Sequence, residues 1–363
     1  MELSSTEINN FRQKLLTWAS QVERPMPWKG ITDPYKIWLS EIILQQTRVA
    51  QGWDYYERMI SRFPDVQSLA EAPLTELIIQ WQGLGYYSRA RNLHKCAEII
   101  WTVHQGKFPN NYEALLKLPG IGPYTAAAIA SFAFAESRAV VDGNVIRVLA
   151  RVFGIQKYPA SSNERKQFEL LAQTLIDPLN PAKYNQAIMD FGAVLCNPIK
   201  PFCSICPFEF ICVAKSLDQV ALYPSKQIKA AKIERHFQFL LIQDKDNWYM
   251  KRREAADIWK DLYQPLSIES SMQQPHSETI ELLPEPERIL VKRLYSKSFQ
   301  TFGPYTQLLT HQKINAYFYL FEAIAPQMIE IDLIKIPKSL IPQTPMPRII
   351  KKFFEENISL MRN

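Results

Sequence analysis

Two carboxylates and four cysteines are the residues in this 363-residue chain whose types and spacing could do chemistry. Glu41 is the single carboxylate in IWLSEIILQQTRV (Ile37 to Val49), flanked by Trp38, Leu39, Ile42, Ile43 and Leu44. A carboxyl enclosed by such side chains has its charged form disfavoured and can stay protonated near neutral pH as a general acid. Facing solvent on an amphipathic helix, the same residue would have no such role, and this segment alone admits both readings. Asp142 follows Ala139, Val140 and Val141 and precedes Gly143 and Asn144, the setting of a turn or N-cap aspartate and equally of a catalyst. Cys196, Cys203, Cys206 and Cys212 are separated by six, two and five residues, with Pro198, Pro201 and Pro207 stiffening the loop. Four thiolates on one short loop predict a metal site. Zinc more often uses separated Cys-x-x-Cys pairs and a compact loop can wrap an iron–sulfur cubane, so both remain open on spacing alone. Cys96, alone on a helical pattern, reads as an apolar filler.

These residues need elements to hold them, and the first two thirds of the chain supply helices. Ile8, Phe11, Leu15 and Trp18 recur at helical spacing after Ser4, Ser5 and Thr6, which can cap the start. Similar patterns run from Tyr35 to Arg62, Leu74 to Trp81, Ser88 to His104, Tyr124 to Phe134, Asn144 to Phe153 and Asn163 to Leu175. LPGIGPYTAAAIA (Leu118 to Ala130) sets Gly120 and Gly122 in a tight turn before an Ala-rich helix. Backbone N–H groups there can bind a phosphate without a basic side chain, although an ordinary helix–turn–helix connection has the same appearance. Residues 216–232 lose periodicity and read as a linker. Beyond it, HFQFLLIQ, NWYMKR and NAYFYLFEAI are short strand-like runs. Ser267 to Glu287 reads as a polar, Pro-containing insertion, and Ile336 to Arg348 as a Pro-rich connector to a last short helix.

Taken in order, PYKIWLSEIILQQTRV, WQGLGYYSRARNLHK, LPGIGPYTA, VVDGNVIRVLAR, YNQAIMDFGAVLC and the cysteine loop resemble the adenine DNA glycosylases of MutY type, within the endonuclease III, helix-hairpin-helix superfamily. The resemblance covers most of residues 24–215. It implies a mainly α fold with an iron–sulfur loop in residues 1–217, a linker at 218–234, and an α+β Nudix-like domain at 235–363. The resemblance also selects a [4Fe–4S] cluster on Cys196, Cys203, Cys206 and Cys212. Glu41 becomes the acid at adenine N7, Asp142 the stabiliser of the oxocarbenium ion or its covalent successor, and Tyr124 and Asn144 assistants. Gln46 and Tyr86 match residues that wedge into the duplex beside the oxidised guanine; unaided, Tyr86 reads as a surface or core aromatic. Arg24, Met26, Trp28 and Gln186 match those around the extruded adenine. Gly120, Gly122 and Lys200 are the expected DNA-backbone contacts.

The implied activity is monofunctional removal of adenine opposite 8-oxoguanine or guanine in double-stranded DNA. Adenine leaves poorly until a ring nitrogen is protonated, and a second carboxylate can stabilise the cationic sugar that results. A bifunctional endonuclease III needs an amine for its Schiff base, and Tyr124 stands where that family's hairpin lysine would be. A DNA-docking module without catalysis has no use for Glu41 and Asp142, which repel phosphate. In the second domain ADIWKDLYQPLSIE is similar to the Nudix-like segment that reads 8-oxoguanine. LTHQ stands where the family often has Phe-Ser-His, so Thr310 and His311 become lesion contacts while Leu309 removes an aromatic one. A packing or partner domain is the alternative there. No glutamate-rich helix able to hold magnesium is apparent, which argues against pyrophosphate hydrolysis. The net charge of +6 suits a polyanion without requiring one. The N-terminus has no apolar secretory core, and Tyr124 to Ala135 is too short to span a bilayer, so a soluble, intracellular protein is expected; the resemblance adds a cytoplasmic monomer, nucleoid-associated in a bacterium.

Overall fold

The computed structural model of the chain describes residues 3–225, 231–254, 257–270, 280–295, 298–321, 329, 331–357 and 360. Two compact units divide it: Met1–Leu74 with Arg89–Ile228, and Thr75–Ser88 with Lys229–Asn363. Among the described residues no helix is long and apolar enough to cross a membrane.

The first unit is helical: α1 (Ser5–Ala19), α2 (Pro34–Leu44), α3 (Val49–Arg62), α4 (Val66–Glu71), α6 (Ser88–Thr102, from Arg89 on), α7 (Tyr112–Leu115), α8 (Pro123–Phe134), α9 (Gly143–Phe153), α10 (Ser162–Leu175), α11 (Pro181–Val194) and α12 (Val213–Ser216). Ser4 and Glu7 close a capping box at the start of α1, each satisfying a backbone N–H of the other. One core joins α1, α9, α10 and α11, with Phe11, Leu15, Leu149, Phe168, Tyr184 and Phe191 buried together. Burying each such side chain contributes about 1.5–3 kcal/mol. Phe208, two residues after Cys206, stacks on Phe11 at 4.5 Å and meets Phe191 edge-on at 5.1 Å. The cysteine loop is thereby anchored in the core.

Two helical expectations needed correction. The pattern from Tyr35 to Arg62 is two helices, because Gln45 leaves the helical region (ψ 111°) and Gln46 takes a left-handed φ of 58°. YNQAIMDFGAVLC, for which no helix was expected, lies largely in α11, which begins at Pro181 and ends at Val194.

The second unit begins with α5 (Leu74–Trp81, from Thr75 on) and the segment to Ser88. Its strands are β1 (Ile233–Gln243), β2 (Asn247–Arg252), β3 (Tyr263–Gln264), β4 (Leu266–Ser270), β5 (Phe299–Leu308), β6 (Gln312–Phe321) and β7 (Ile334–Pro337). They order as β3-β2-β1-β6-β5, with β4 also on β1 and β7 on β2. Pairing of β1 with β6 is parallel, and the other pairings are antiparallel. Helices Glu285–Tyr295 and Arg348–Glu356 accompany the sheet. Ser267 to Glu287 is not simply an insertion: its first residues form β4, and Ile280–Leu282 is a 3-10 turn. Residues 271–279 of that segment, 226–230 of the linker and 322–324 of NAYFYLFEAI lie outside the described residues.

Candidate active site

Helix α2 is buried on nearly every side: Tyr35, Ile37, Trp38, Leu39, Ser40, Glu41, Ile42 and Ile43 are all enclosed. Asp33 caps its start through Tyr35 N–H at 2.9 Å, and Pro34 occupies the first position. Glu41, 7% exposed, is therefore enclosed, and burial pushes its carboxyl up from 4.5 to about 7. Hydrogen bonding from the Tyr124 hydroxyl works against that rise, while the negative charge of Asp142 adds to it. The same hydroxyl lies 3.9 Å from Met189 Sδ. A carboxylate is a far stronger acceptor than a thioether, so the proton turns to Glu41 whenever Glu41 ionises.

Asp142 is the N-cap of α9. Its Oδ1 accepts from Val145 N–H at 2.8 Å and its Oδ2 from Asn144 Nδ2 at 2.7 Å. Burial raises its pKa, opposed by these hydrogen bonds and by the positive charge of Arg147. Arg147 donates through Nη2 to Asn144 Oδ1 at 2.8 Å and to the Gly192 carbonyl at 2.7 Å, and through Nε to the Cys196 carbonyl at 2.9 Å. A Cβ at Gly192 would sit 2.7 Å from Asn144 Cβ and 3.0 Å from its carbonyl oxygen. Only glycine lets α11 approach the start of α9 this closely. The cap and catalyst readings of Asp142 are thus compatible, since one side chain can start α9 and face Glu41.

The hairpin before α8 turns at Gly120, with φ of +76°, and Ile121 N–H closes it on the Leu118 carbonyl at 3.2 Å. Gly122 caps α8 without any side-chain bond and Pro123 opens the helix, so no side chain competes for its first-turn amides. Arg89 was not anticipated: its Nη1 donates to the carbonyls of Ile42, Ile43 and Gln45 at 2.8, 3.0 and 2.7 Å. A cation over the C-terminus of α2 favours the helix dipole and fixes the turn carrying exposed Gln46.

Gln186 and Arg24 meet on another unanticipated residue, Asp190, which is 5% exposed. Asp190 Oδ1 accepts from Arg24 Nη1 at 2.7 Å and Gln186 Nε2 at 3.0 Å, and Oδ2 accepts from Lys29 Nζ at 2.8 Å. Met26 is half-buried on the segment between Arg24 and Lys29. Trp28 is buried edge-on against Tyr56 at 5.3 Å, with Trp53 at 6.2 Å, and has no described contact with Glu41.

Cys196, Cys203, Cys206 and Cys212 are free thiols lining one pocket with Arg151 and Lys215. Arg151 Nη1 lies 3.4 Å from Cys196 Sγ and 2.8 Å from the Asn197 carbonyl. Soft ligands with cations to balance thiolate charge fit a metal group. Among the described residues no group of three or more His, Cys, Asp or Glu side chains is arranged to hold a metal ion, so the fit rests on the donor set. Lys200 is exposed on this loop, its N–H bonded to Asn197 Oδ1 at 2.8 Å.

Within the second unit, Tyr86 is 40% exposed at a left-handed φ of 49°, and its hydroxyl is hydrogen-bonded to Thr310 Oγ1. The Leu309–His311 turn joins β5 to β6 and exposes Thr310 and His311. It is tethered by Leu309 N–H to the Gln312 carbonyl at 2.8 Å and by Ile233 N–H to the His311 carbonyl at 3.0 Å. An aromatic and a hydroxyl separated by 224 residues thus meet.

Residues 39–173 match the HhH-GPD superfamily base excision DNA repair protein family. The chain is 36% identical over 254 residues to an adenine DNA glycosylase of Buchnera aphidicola, covering 70% of this chain and 73% of that protein. Against a human adenine DNA glycosylase the identity is 44% over 218 residues, covering 58% of this chain and 40% of the human one. A solved thermostable thymine-DNA glycosylase superposes with a TM-score of 0.54 at 30% identity, over 58% of this chain and 97% of that one.

Proposed function

Because the chain belongs to the adenine DNA glycosylases, hydrolases of N-glycosyl bonds within the HhH-GPD base excision repair superfamily, we propose that it removes adenine mispaired with 8-oxoguanine or guanine in double-stranded DNA. The observation that carries this reading is Glu41, a buried carboxyl lifted to about 7 and coupled to Tyr124 and Asp142. Glu41 gives its proton to adenine N7 as the C1′–N9 bond breaks, and the bond's electron pair leaves with the base. Asp142, whose carboxylate accepts hydrogen bonds from the Val145 amide and Asn144, stabilises the cationic sugar or bonds to it. Water then takes the anomeric carbon and an abasic site remains. Tyr124 carries no amine, which supports a monofunctional course without strand cleavage.

Flipping adenine leaves a gap in the duplex, for which Gln46 and Tyr86 are the wedge. Gly120, Gly122, the first turn of α8 and Lys200 hold the backbone. The sheet domain acts as a Nudix-like lesion reader through Thr310 and His311, and the Tyr86–Thr310 hydrogen bond supports assigning lesion contact to this pair. Cys196, Cys203, Cys206 and Cys212 would hold a [4Fe–4S] cluster that keeps the Lys200 loop in shape. The enzyme acts as a monomer in the cytoplasm.

Single-turnover release of adenine from a duplex with A opposite 8-oxoguanine, compared with A opposite G and with oxidised pyrimidines, tests the reading. Adenine release with an intact abasic strand and no borohydride-trapped protein–DNA complex is expected. Excision of oxidised pyrimidines with efficient trapping would overturn it.

A further inference from the structure

A helix that ends without a glycine leaves its last carbonyls to be answered by some other donor. Helix α2 ends this way, with Gln45 outside the helical region and Gln46 at a left-handed φ of 58°. Each carbonyl from Ile42 to Gln45 nevertheless has a partner. Thr47 N–H donates to Leu44 at 3.1 Å, and Arg89 Nη1, from the first turn of α6, donates to Ile42, Ile43 and Gln45 at 2.8, 3.0 and 2.7 Å. One NH2 carries two protons, so three carbonyls share them and must stay gathered around a single point. The Gln45 side chain turns inward, its Nε2 donating at 3.3 Å to Oγ1 of buried Thr125 on α8. From the other side α3 packs so closely that a Cβ at Gly52 would sit 2.9 Å from Leu44 Cδ2.

Gln46 is the part of this turn that points away from these tethers. Its side chain is exposed and makes no hydrogen bond among the described residues. A residue other than glycine keeps a left-handed conformation only where its surroundings over-determine it, and such residues gather at functional sites. Here the surroundings are the backbone carbonyls on Arg89 and the side chain of Gln45 on Thr125, while the glutamine between them is left free to meet a ligand.

We propose that Arg89 is a positioning residue for base extrusion, which sets Gln46 in its outward geometry before DNA arrives. This rests on the adenine-excision reading and on Gln46 as the wedge. A preorganised wedge favours the step that unstacks and unpairs the adenine, and has no part in proton transfer from Glu41. The contribution of Arg89 should therefore grow with how firmly the adenine is stacked, and shrink on an adenine that is already loose.

Single-turnover excision from two duplexes tests this in the full-length protein: adenine opposite 8-oxoguanine within paired flanks, and the same lesion pair within mismatched flanks that leave the adenine unstacked. The ratio of the two rates, relative to wild type, removes any loss common to both, such as partial unfolding or slower chemistry. In Arg89→Met the paired-to-mismatched ratio should fall about tenfold or more. Gln46→Ala should lower the same ratio, and the double variant should lose no more than the larger single loss. Should Arg89→Met fail to fold by circular dichroism, Arg89→Gln, which keeps a terminal NH2 on a shorter side chain, should lower the ratio in the same direction. An unchanged ratio in the folded Arg89 variant overturns the inference. So does an Arg89 effect that persists undiminished in the Gln46→Ala background, because Arg89 would then act otherwise than through Gln46. An unchanged ratio in Gln46→Ala removes the wedge and overturns the inference with it. Failure of the wild-type protein to release adenine from either duplex would instead strike the functional reading.

Discussion

The ionisation of Glu41 and its dependence on Tyr124 offer a sharp test of the mechanism, because the expected effect on pH dependence is opposite to the effect on rate. Moving the carboxyl from 4.5 to about 7 corresponds to about 3 kcal/mol of preference for the protonated form. General acid catalysis uses that form, so single-turnover excision should fall about tenfold per pH unit above roughly pH 7. Tyr124 hydrogen-bonds the ionised carboxylate and so lowers the value that burial would otherwise set. Tyr124→Phe deletes that bond, worth about 1.5–3 kcal/mol to a charged acceptor, and the alkaline limb should move up by about one to two pH units. The variant should be slower at its optimum yet hold its own maximum to higher pH. Single-turnover rates between about pH 5.5 and 9.5, with thermal melts at each pH, would measure both effects. An alkaline limb near the ordinary glutamate value, or one that Tyr124→Phe leaves in place or moves downward, would refute the assignment of Glu41 as a buried acid held in check by Tyr124.

Other substitutions and one analysis follow from the same geometry. Glu41→Gln should abolish excision while leaving DNA affinity close to wild type. Because the folded pKa of Glu41 is raised, wild-type stability is intact below about 4.5 and declines as pH rises through about 7. Glu41→Gln should therefore melt higher than wild type near pH 8, with the gap closing toward about pH 4. Gly192→Ala drives a Cβ to 2.7 Å from Asn144 Cβ and should cost about 1–3 kcal/mol in chemical denaturation, with a larger loss of excision than of DNA binding. Gly120→Ala strains a φ of +76° and meets Asn92 Cβ at 2.7 Å; duplex affinity should weaken for matched and mismatched DNA alike. Anaerobically purified protein should carry about four irons and four sulfides per chain, whereas one zinc without sulfide would replace the cluster assignment.

How much of this was legible depended on whether the cause was local. The cysteine spacing lies within one short loop and could be read directly, and the start of α1 was narrowed to Ser4, Ser5 or Thr6, of which Ser4 closes the capping box with Glu7. Enclosure of Glu41 was left open by its own segment, and the structure decided it: neighbours cover Tyr35, Ile37, Trp38, Leu39, Ser40, Ile42 and Ile43 as well as Glu41 itself. Asp190 was visible in YNQAIMDFGAVLC, but its meaning depends on Arg24 and Lys29, 166 and 161 residues away. Arg89 closes α2 from 44 to 47 residues downstream, and nothing in its own segment announces that task. The break at Gln45 and Gln46 carries no Gly or Pro to mark it; a left-handed glutamine is held by its surroundings. β4 was hidden for a related reason: its residues look like a polar insertion until they pair with β1 from Leu240↔Leu266 to His236↔Ser270.

The two carboxylates differ less in burial than in what answers it. Desolvation raises both. Asp142 meets it with the Val145 amide at 2.8 Å, the Asn144 amide at 2.7 Å and the nearby Arg147 guanidinium, all of which favour the anion. Glu41 has a single hydroxyl, and the charge on Asp142 pushes further against its ionisation. Two interacting acids in one enclosure cannot both ionise cheaply, so the anion settles on the better-solvated member and the proton on the other. The proton therefore belongs on Glu41 and the charge on Asp142, the division that acid-assisted loss of a purine requires. Arg147 maintains it from one side by fixing Asn144, and the absence of a side chain at Gly192 maintains it from the other. A perturbation of either should act first on the carboxylate that must stay charged, and only through it on the one that must stay neutral.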